Sequence, residues 1–342
     1  MSSGDAHAQR PVAATLAPHS AAPFTICRQD EPVPPALAGA VAAIGNFDGI
    51  HRGHRTLIET VRGAAAGRSP ARPSTVLTFE PHPRAFFAPD QPMFRLTGPR
   101  AKEIVFARLG LDGLIVRRFD AALAETGARG FVEQLLRDDL GLSGVVIGHD
   151  FHFGRGREGT PAMLAELCAG AGLDCRIVPP VSEGEGAVPI SSSAIRAGLA
   201  AGDTARANAL LGYRWFVLGE VRHGEKRGRV LGYPTANLAL GSCGLAHGIY
   251  AVRARLSDGT VRDGVASYGR RPTFDDGAPL LETNLFDFSG DLYGQEIAVE
   301  FLGFIRGEAR FESAEALIAR MHVDAAEARA LIAADRVPSM LD

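Results

Sequence analysis

Short apolar runs alternate with longer amphipathic stretches over the first 205 residues. "AVAAIG" (40–45) reads as a buried strand and "HRTLIETVRGAA" (54–65) as the helix after it. Further strands follow at 74–80, 113–119, 144–151 and 174–181, with helices at 99–110, 128–141 and 160–172. Gly110 is a helix stop. Five strands in regular alternation with helices predict a parallel sheet covered on both faces. Such sheets bind ligands outside the carboxyl ends of their strands. Each unusual polar cluster in this half follows a strand end.

The pattern changes near Gly212. Runs at 215–221, 248–256, 260–269, 280–288 and 296–305 are short, strand-like and separated by turns. "SDG" (257–259) is a hairpin signal. A compact antiparallel barrel is the expected architecture. The chain then turns helical over 313–335, where Ser313 can cap the first turn. The resulting division is an extension without fixed structure (1–24), an α/β domain (25–205) and a β domain with a terminal helix (206–338).

Composition narrows this picture only slightly. A chain of 342 residues exceeds what one core usually serves, so two domains fit. A formal charge of −3 gives no electrostatic sign of nucleic acid or an anionic membrane as partner. No apolar run is long enough to span a bilayer. The first 24 residues lack the uninterrupted apolar stretch of a secretory signal. Cys27, Cys168, Cys175 and Cys243 form no C-x-x-C pair, and reduced thiols in a cytoplasmic protein are expected. Nothing decides between a monomer and a homo-oligomer.

"IGNFDGIHRGH" (44–54) joins the first strand to its helix. A strand, a glycine-rich turn and a helix start bring backbone N–H groups onto an anion. Neither G-x-G-x-x-G nor G-x-x-x-x-G-K-[ST] is present. Three readings compete. A zinc site needs further ligands. A capped turn needs no ligand at all. In the third reading, His51 and His54 donate hydrogen bonds to nucleotide phosphates. "ISSSAIRAGL" (190–199) sets three hydroxyls before a helix and Arg196 one turn in, more than a cap requires. It suits the β- and γ-phosphates. "TFEPHPRAFF" (78–87) fixes His82 between Pro81 and Pro83 beside Phe79, Phe86 and Phe87. It reads either as a stiff loop over core rings or as a wall for a flat aromatic ligand.

In the second half, "RGRVLGYPTANL" (227–238) sets Thr235 and Asn237 on alternate residues, hence on one face of an extended segment. Neutral hard oxygens of this kind suit Mg²⁺, which also takes phosphate oxygens; a polar turn before a strand is the plainer alternative. Glu282, on an otherwise apolar strand, is a candidate general base toward a hydroxyl, or a surface glutamate.

In order, G-x-F-D-G-x-H-x-G-H (45–54), T-F-E-P-H-P (78–83), R-L-T (95–97), G-x-D-F-x-F-G (148–154) and I-S-S-S-x-I-R (190–196) resemble one module of a known family. It is the FAD synthetase module of bacterial bifunctional riboflavin kinase/FAD synthetases. The "PTAN" segment, Glu282, "GVASYGRRPTF" (264–274) and "RGEARF" (306–311) resemble the family's riboflavin kinase module. The resemblance implies a Rossmann-like nucleotidyltransferase domain followed by a small antiparallel barrel. It implies phosphorylation of riboflavin by ATP in the barrel, and transfer of adenylate from a second ATP to FMN in the α/β domain.

On this resemblance, Gly45, Asn46, Phe47, Asp48, His51, His54, Gly148, Asp150, Ser191, Ser192, Ser193 and Arg196 bind ATP for adenylyl transfer. Phe79, Pro81, His82 and Pro83 meet FMN. Gly228, Arg229, Thr235 and Asn237 bind the kinase ATP. Thr235 and Asn237 hold Mg²⁺, and Glu282, His51 and His54 are the catalytic residues. The chain departs from the family at Ser267-Tyr268, His152 and Ala194, none of which is assigned to chemistry. Two alternatives stand beside this reading: a single-function enzyme with one decayed module, and a flavin-binding regulator without turnover.

Overall fold

A computed structural model of the protein describes residues 23–180, 190–223, 233–241, 243–270 and 279–342. The bulk of the N-terminal extension, Gly228 and Arg229 lie outside these residues. Six parallel strands form the first sheet: β1 (Thr25–Arg28), β2 (Val41–Ile44), β3 (Ser74–Glu80), β4 (Gly113–Arg118), β5 (Gly144–Gly148) and β6 (Asp174–Val178). Their spatial order is β1-β4-β3-β2-β5-β6. The sequence reading counts five, because in β1 only Cys27 is fully buried and no apolar run marks the strand. The central strands are buried at nearly every position because both faces are covered.

The helices are α1 (Arg52–Ala66), α2 (Pro83–Phe87), α3 (Pro99–Arg108), α4 (Ala121–Ala124), α5 (Ala128–Gly130, continued by π-helical turns over Phe131–Asp139), α6 (Pro161–Ala171), α7 (Ser192–Ala200) and α8 (Thr204–Leu211). Alternate residues of β2 feed opposite faces. Val41 and Ala43 pack with Ile58 and Val61 of α1 and with Val105 and Phe106 of α3. Ala42 and Ile44 pack with Val132, Leu136, Leu164 and Cys168 on the other side. The chain steps from β2 to β3 to β4 in one direction, then returns to place β5 on the other side of β2. This is a topological switch point, and it opens a crevice beyond the ends of β2 and β5.

The second sheet is an antiparallel closed barrel of β7 (Phe216–Arg222), β8 (Ala236–Ala239), β9 (Gly248–Arg255), β10 (Val261–Arg270), β11 (Pro279–Leu285) and β12 (Glu296–Arg306), ordered β10-β11-β8-β7-β12-β9 and closed by the β9–β10 pair. β8, only four residues long, was not among the expected strands. The turn at 257–259 is realised, with Gly259 at φ +84° donating its N–H to the Leu256 carbonyl. The terminal helix α9 (Ala314–Ala334) is capped by Ser313 and sets Ala328 and Ile332 against Ala251 and Leu302 on the outside of the barrel.

One continuous apolar cluster joins the two halves. The buried Tyr213 and Trp215 lie between them. Trp215 Nε1 donates to the Leu96 carbonyl at 2.8 Å, and Tyr213 donates its hydroxyl to the Gly49 carbonyl at 2.8 Å. Helix α7 adds a bond, its Leu199 carbonyl accepting from the Ala246 N–H.

Candidate active sites

The turn after β2 is tightly coiled. Phe47, Gly49 and Ile50 all have positive φ, at 48°, 91° and 35°. For Phe47 and Ile50 this is uncommon and costs about 1–2 kcal/mol per residue. Surrounding groups hold it. The Asp48 carboxylate accepts from the Thr97 N–H and pairs with Arg196. Ser192 Oγ donates to the Asp48 carbonyl at 2.6 Å, and the Gly49 N–H donates to Thr97 Oγ1 at 3.0 Å. Phe47 is buried against Phe106, edge to face.

His51 is the N-cap of α1, its Nδ1 accepting the His54 N–H. The capped turn is therefore real, and it explains why the helix begins at Arg52 rather than His54. It also assigns the tautomer: Nδ1 is the acceptor, so the proton of a neutral ring sits on Nε2. The two imidazoles stack with centroids 3.8 Å apart. Burial lowers His51 to a pKa of about 4, against a smaller upward pull from Asp150. Burial also lowers His54 well below the ordinary range, aided by His51 and Lys102. At neutral pH both rings are uncharged N–H donors. Among the described residues no cluster of three or more His, Cys, Asp or Glu side chains could hold a metal ion, so the zinc reading of this turn has no support.

Gly148 ends β5, directly across the switch point, with Asp150 exposed just beyond it. Ser191 caps α7 by accepting the Ala194 N–H, and Ser193 is exposed. Arg196 donates through Nε to the Phe94 carbonyl at 2.7 Å as well as to Asp48. Three separated sequence clusters thus converge on one crevice. His82 caps α2 through Nδ1, which accepts the Arg84 N–H, and burial lowers its pKa. Phe79 is buried under Phe119 and Phe131. Phe86, Phe87 and Phe119 form an edge-to-face group, with Phe87 67% exposed. Phe79 belongs to the core under this stiff loop, while Phe86 and Phe87 extend toward solvent. Pro81 and Pro83 flank His82 at the end of β3.

The sequence reading did not single out a buried polar group below this crevice. Glu80 makes a bidentate pair with Arg95, at 2.8 and 2.5 Å. Lys102 Nζ lies 3.5 Å from Glu80 and donates to the Asn46 carbonyl at 2.8 Å. A signal was available: Lys102 shares the inward face of α3 with Phe106 and Leu109, where a charge demands a partner.

In the barrel, Glu282 of β11 stands directly opposite Asn237 of β8 on one side and Ser267 of β10 on the other. Cross-strand partners project to the same face, so Glu282 and Asn237 are neighbours. Asn237 is buried, and its Oδ1 has no hydrogen-bond partner among the described residues; the same holds for Thr283 Oγ1. Thr235 lines a cavity of 520 Å³ with Pro234, Thr283, Asp291, Leu292 and Tyr293. Asn237 and Glu282 do not line it. Thr283, next to Glu282 on β11, faces the opposite side of the sheet and does not join Asn237. The unpaired Asn237 Oδ1, a hard neutral oxygen beside Glu282, is the kind of donor that Mg²⁺ takes together with phosphate.

A family model described as FAD synthetase matches residues 33–194, and one described as riboflavin kinase matches residues 211–332. Bifunctional riboflavin kinase/FMN adenylyltransferases are similar along most of the chain. That of Haemophilus influenzae is 39% identical over 86% of this chain and 94% of its own. That of Escherichia coli K12 is 39% identical over 85% and 92%, and that of Bacillus subtilis 36% over 85% and 92%. A crystal structure from Streptococcus pneumoniae, described as a macrolide-efflux protein, superposes with a TM-score of 0.74 at 30% identity, covering 87% of this chain and 97% of its own. That description concerns the pneumococcal protein, and no described helix of this chain is long and apolar enough to cross a membrane. With this coverage and the two models in this order, the chain belongs to the bifunctional riboflavin kinase/FMN adenylyltransferase family.

Proposed function

We propose that the two sites catalyse consecutive ATP-dependent steps of flavin cofactor synthesis, one in each domain. In the barrel, the riboflavin 5′-hydroxyl attacks the γ-phosphorus of ATP, giving FMN and ADP. Glu282 takes the hydroxyl proton, because a neutral alcohol needs a base. Thr235 and Asn237, with Gly228 and Arg229, bind this ATP. Thr235 and Asn237 would hold Mg²⁺, which would supply charge neutralisation to the phosphates. The orphaned Asn237 Oδ1 supports that role.

In the α/β domain, an FMN phosphate oxygen attacks the α-phosphorus of a second ATP. The new P–O bond gives FAD, and pyrophosphate leaves. The nucleophile is already anionic, so alignment and charge neutralisation carry the step. His51 and His54 present N–H donors to the phosphates. Gly45, Asn46, Phe47 and Asp48 form the turn beneath the nucleotide, with Gly148 and Asp150 across the crevice. Ser191, Ser192, Ser193 and Arg196 hold the departing pyrophosphate. Phe79, Pro81, His82 and Pro83 shape the FMN side.

The observation that supports this reading best is the convergence of the histidine turn, the Gly148 end and the serine loop on one switch-point crevice. The proposed domain limits are 25–205 and 206–338, with α8 running across the join. A cytoplasmic enzyme working on small molecules completes the proposal, and its oligomeric state is left to measurement. Mass spectrometry of products from riboflavin, ATP and Mg²⁺ tests it. FMN followed by FAD is expected; FMN alone would point to a decayed adenylyl-transfer module, and no turnover to a flavin-binding regulator.

A further inference from the structure

Neutral histidines leave open what supplies fixed positive charge to the adenylyl-transfer crevice. Lys102 is 1% exposed, and its ammonium has three acceptors for its three protons: the Asn46 carbonyl at 2.8 Å, Thr78 Oγ1 at 3.5 Å and Glu80 Oε1 at 3.5 Å. We propose that Lys102 is a positioning residue for adenylyl transfer: it pins the Asn46 carbonyl so that the Phe47 amide points out of the turn, and it adds fixed positive charge beneath the phosphates. This rests on the α/β crevice being the adenylyl-transfer site.

The peptide geometry carries the first half. In a planar trans peptide the C=O and the following N–H point in opposite directions. With the Asn46 carbonyl directed onto the buried ammonium, the Phe47 N–H is directed away from it. The bond also offsets part of the strain of Phe47 at positive φ. A lysine in the first turn of α3 thereby sets the conformation of a turn more than fifty residues earlier in the chain.

The charge balance carries the second half. Around the turn, and among the described residues, Lys102, Arg95 and Arg196 face Glu80 and Asp48; Asp150 is exposed and lies toward His51. Among the described residues one cation is in excess. Burial pushes the Lys102 ammonium toward losing its proton, and Glu80 and Asp48 pull it back. Burial alone would raise Glu80, but Arg95 and Lys102 overcome this and hold it below the usual carboxylate range. The ion pair is thereby maintained in a setting where unpaired charge is costly.

The test compares K102M, E80Q and E80Q/K102M in the full chain, measuring FAD formation from FMN and ATP, FMN formation from riboflavin and ATP, and thermal melting. For K102M we expect the KM for ATP in FAD formation to rise about 10- to 100-fold, the scale of one charge-assisted hydrogen bond. The KM for ATP in FMN formation should stay within twofold. The double variant leaves no orphaned carboxylate, so it carries the comparison should K102M melt early. It should remain impaired in FAD formation. Recovery of wild-type FAD formation in the double variant would mean that Lys102 merely neutralises Glu80, and would overturn the inference, as would an unchanged K102M. A parallel H51N/H54Q variant separates the two levels. If it still makes FAD, the assignment of the crevice fails; if it does not while K102M is normal, only the role of Lys102 fails.

Discussion

His51 and His54 lie face to face, ring centroids 3.8 Å apart, and the first accepts the backbone N–H of the second. One residue thus does two jobs: Nδ1 builds the helix start, and Nε2 remains available as a donor. Replacing His51 by Asn keeps a good N-cap but removes the titrating ring. FAD formation should then fall by at least about a hundredfold, the scale of losing one oriented donor at a charged transition state. Steady-state assays with FMN and with riboflavin check this, the second being expected to persist.

The same pair makes stability depend on pH. The folded-state pKa of His51 is about 4, below the ordinary 6.5. Between these values the unfolded chain binds a proton that the native state excludes, so stability falls as pH drops through that window. Above pH 6.5 there is no such dependence. The loss from this group by pH 4 is on the order of a few kcal/mol. Urea unfolding at pH 7.5, 6 and 5 should show the decline, and H51N should make it shallower, His54 keeping its own share. An equally steep decline in the variant would place the dependence elsewhere.

The parallel sheet was legible because its central strands are buried on both faces and read as apolar runs. β1 and β8 were not, since neither carries an unbroken apolar run: Arg28 ends β1 and Asn237 interrupts β8. The histidine turn, the serine loop and the "PTAN" segment were legible as clusters of unusual residues. Lys102 was legible only as a charge on an inward helix face; its pairing with Glu80 and Arg95 was not, because that depends on contacts between β3, α3 and the loop between them. The neutrality of the histidines was also hidden, since desolvation is a property of the packed core and not of the motif.

Tyr213 carries the join between the domains. Its hydroxyl donates to the Gly49 carbonyl inside the phosphate-binding turn, although it lies just ahead of the first barrel strand. Y213F removes that bond, leaves the ring and orphans a buried carbonyl. A loss of about 1–3 kcal/mol in stability follows from the unsatisfied acceptor. FAD formation should weaken more than FMN formation, because the altered turn belongs to the α/β site. Denaturant melts with paired assays measure both; equal losses in the two activities would argue against a local effect on the turn.

The Glu282–Asn237 pair gives the last prediction. Glu282 is expected to take a proton in the kinase step, so E282Q should lower FMN formation by about 10²–10⁴-fold while FAD formation from supplied FMN continues. Asn237 differs in kind. Its buried Oδ1 has no partner among the described residues, so the folded protein gains little from it without a ligand. N237L should therefore leave the melting temperature unchanged or higher in the absence of ATP, yet abolish the rise in melting temperature that Mg²⁺ and ATP together produce through the kinase site. Thermal scans with and without Mg²⁺–ATP, in a background carrying H51N to silence the other nucleotide site, isolate this effect. A full ligand-induced rise in N237L would remove Asn237 from the metal–phosphate site, and a sharply lower melting temperature without ligand would make it a structural residue instead.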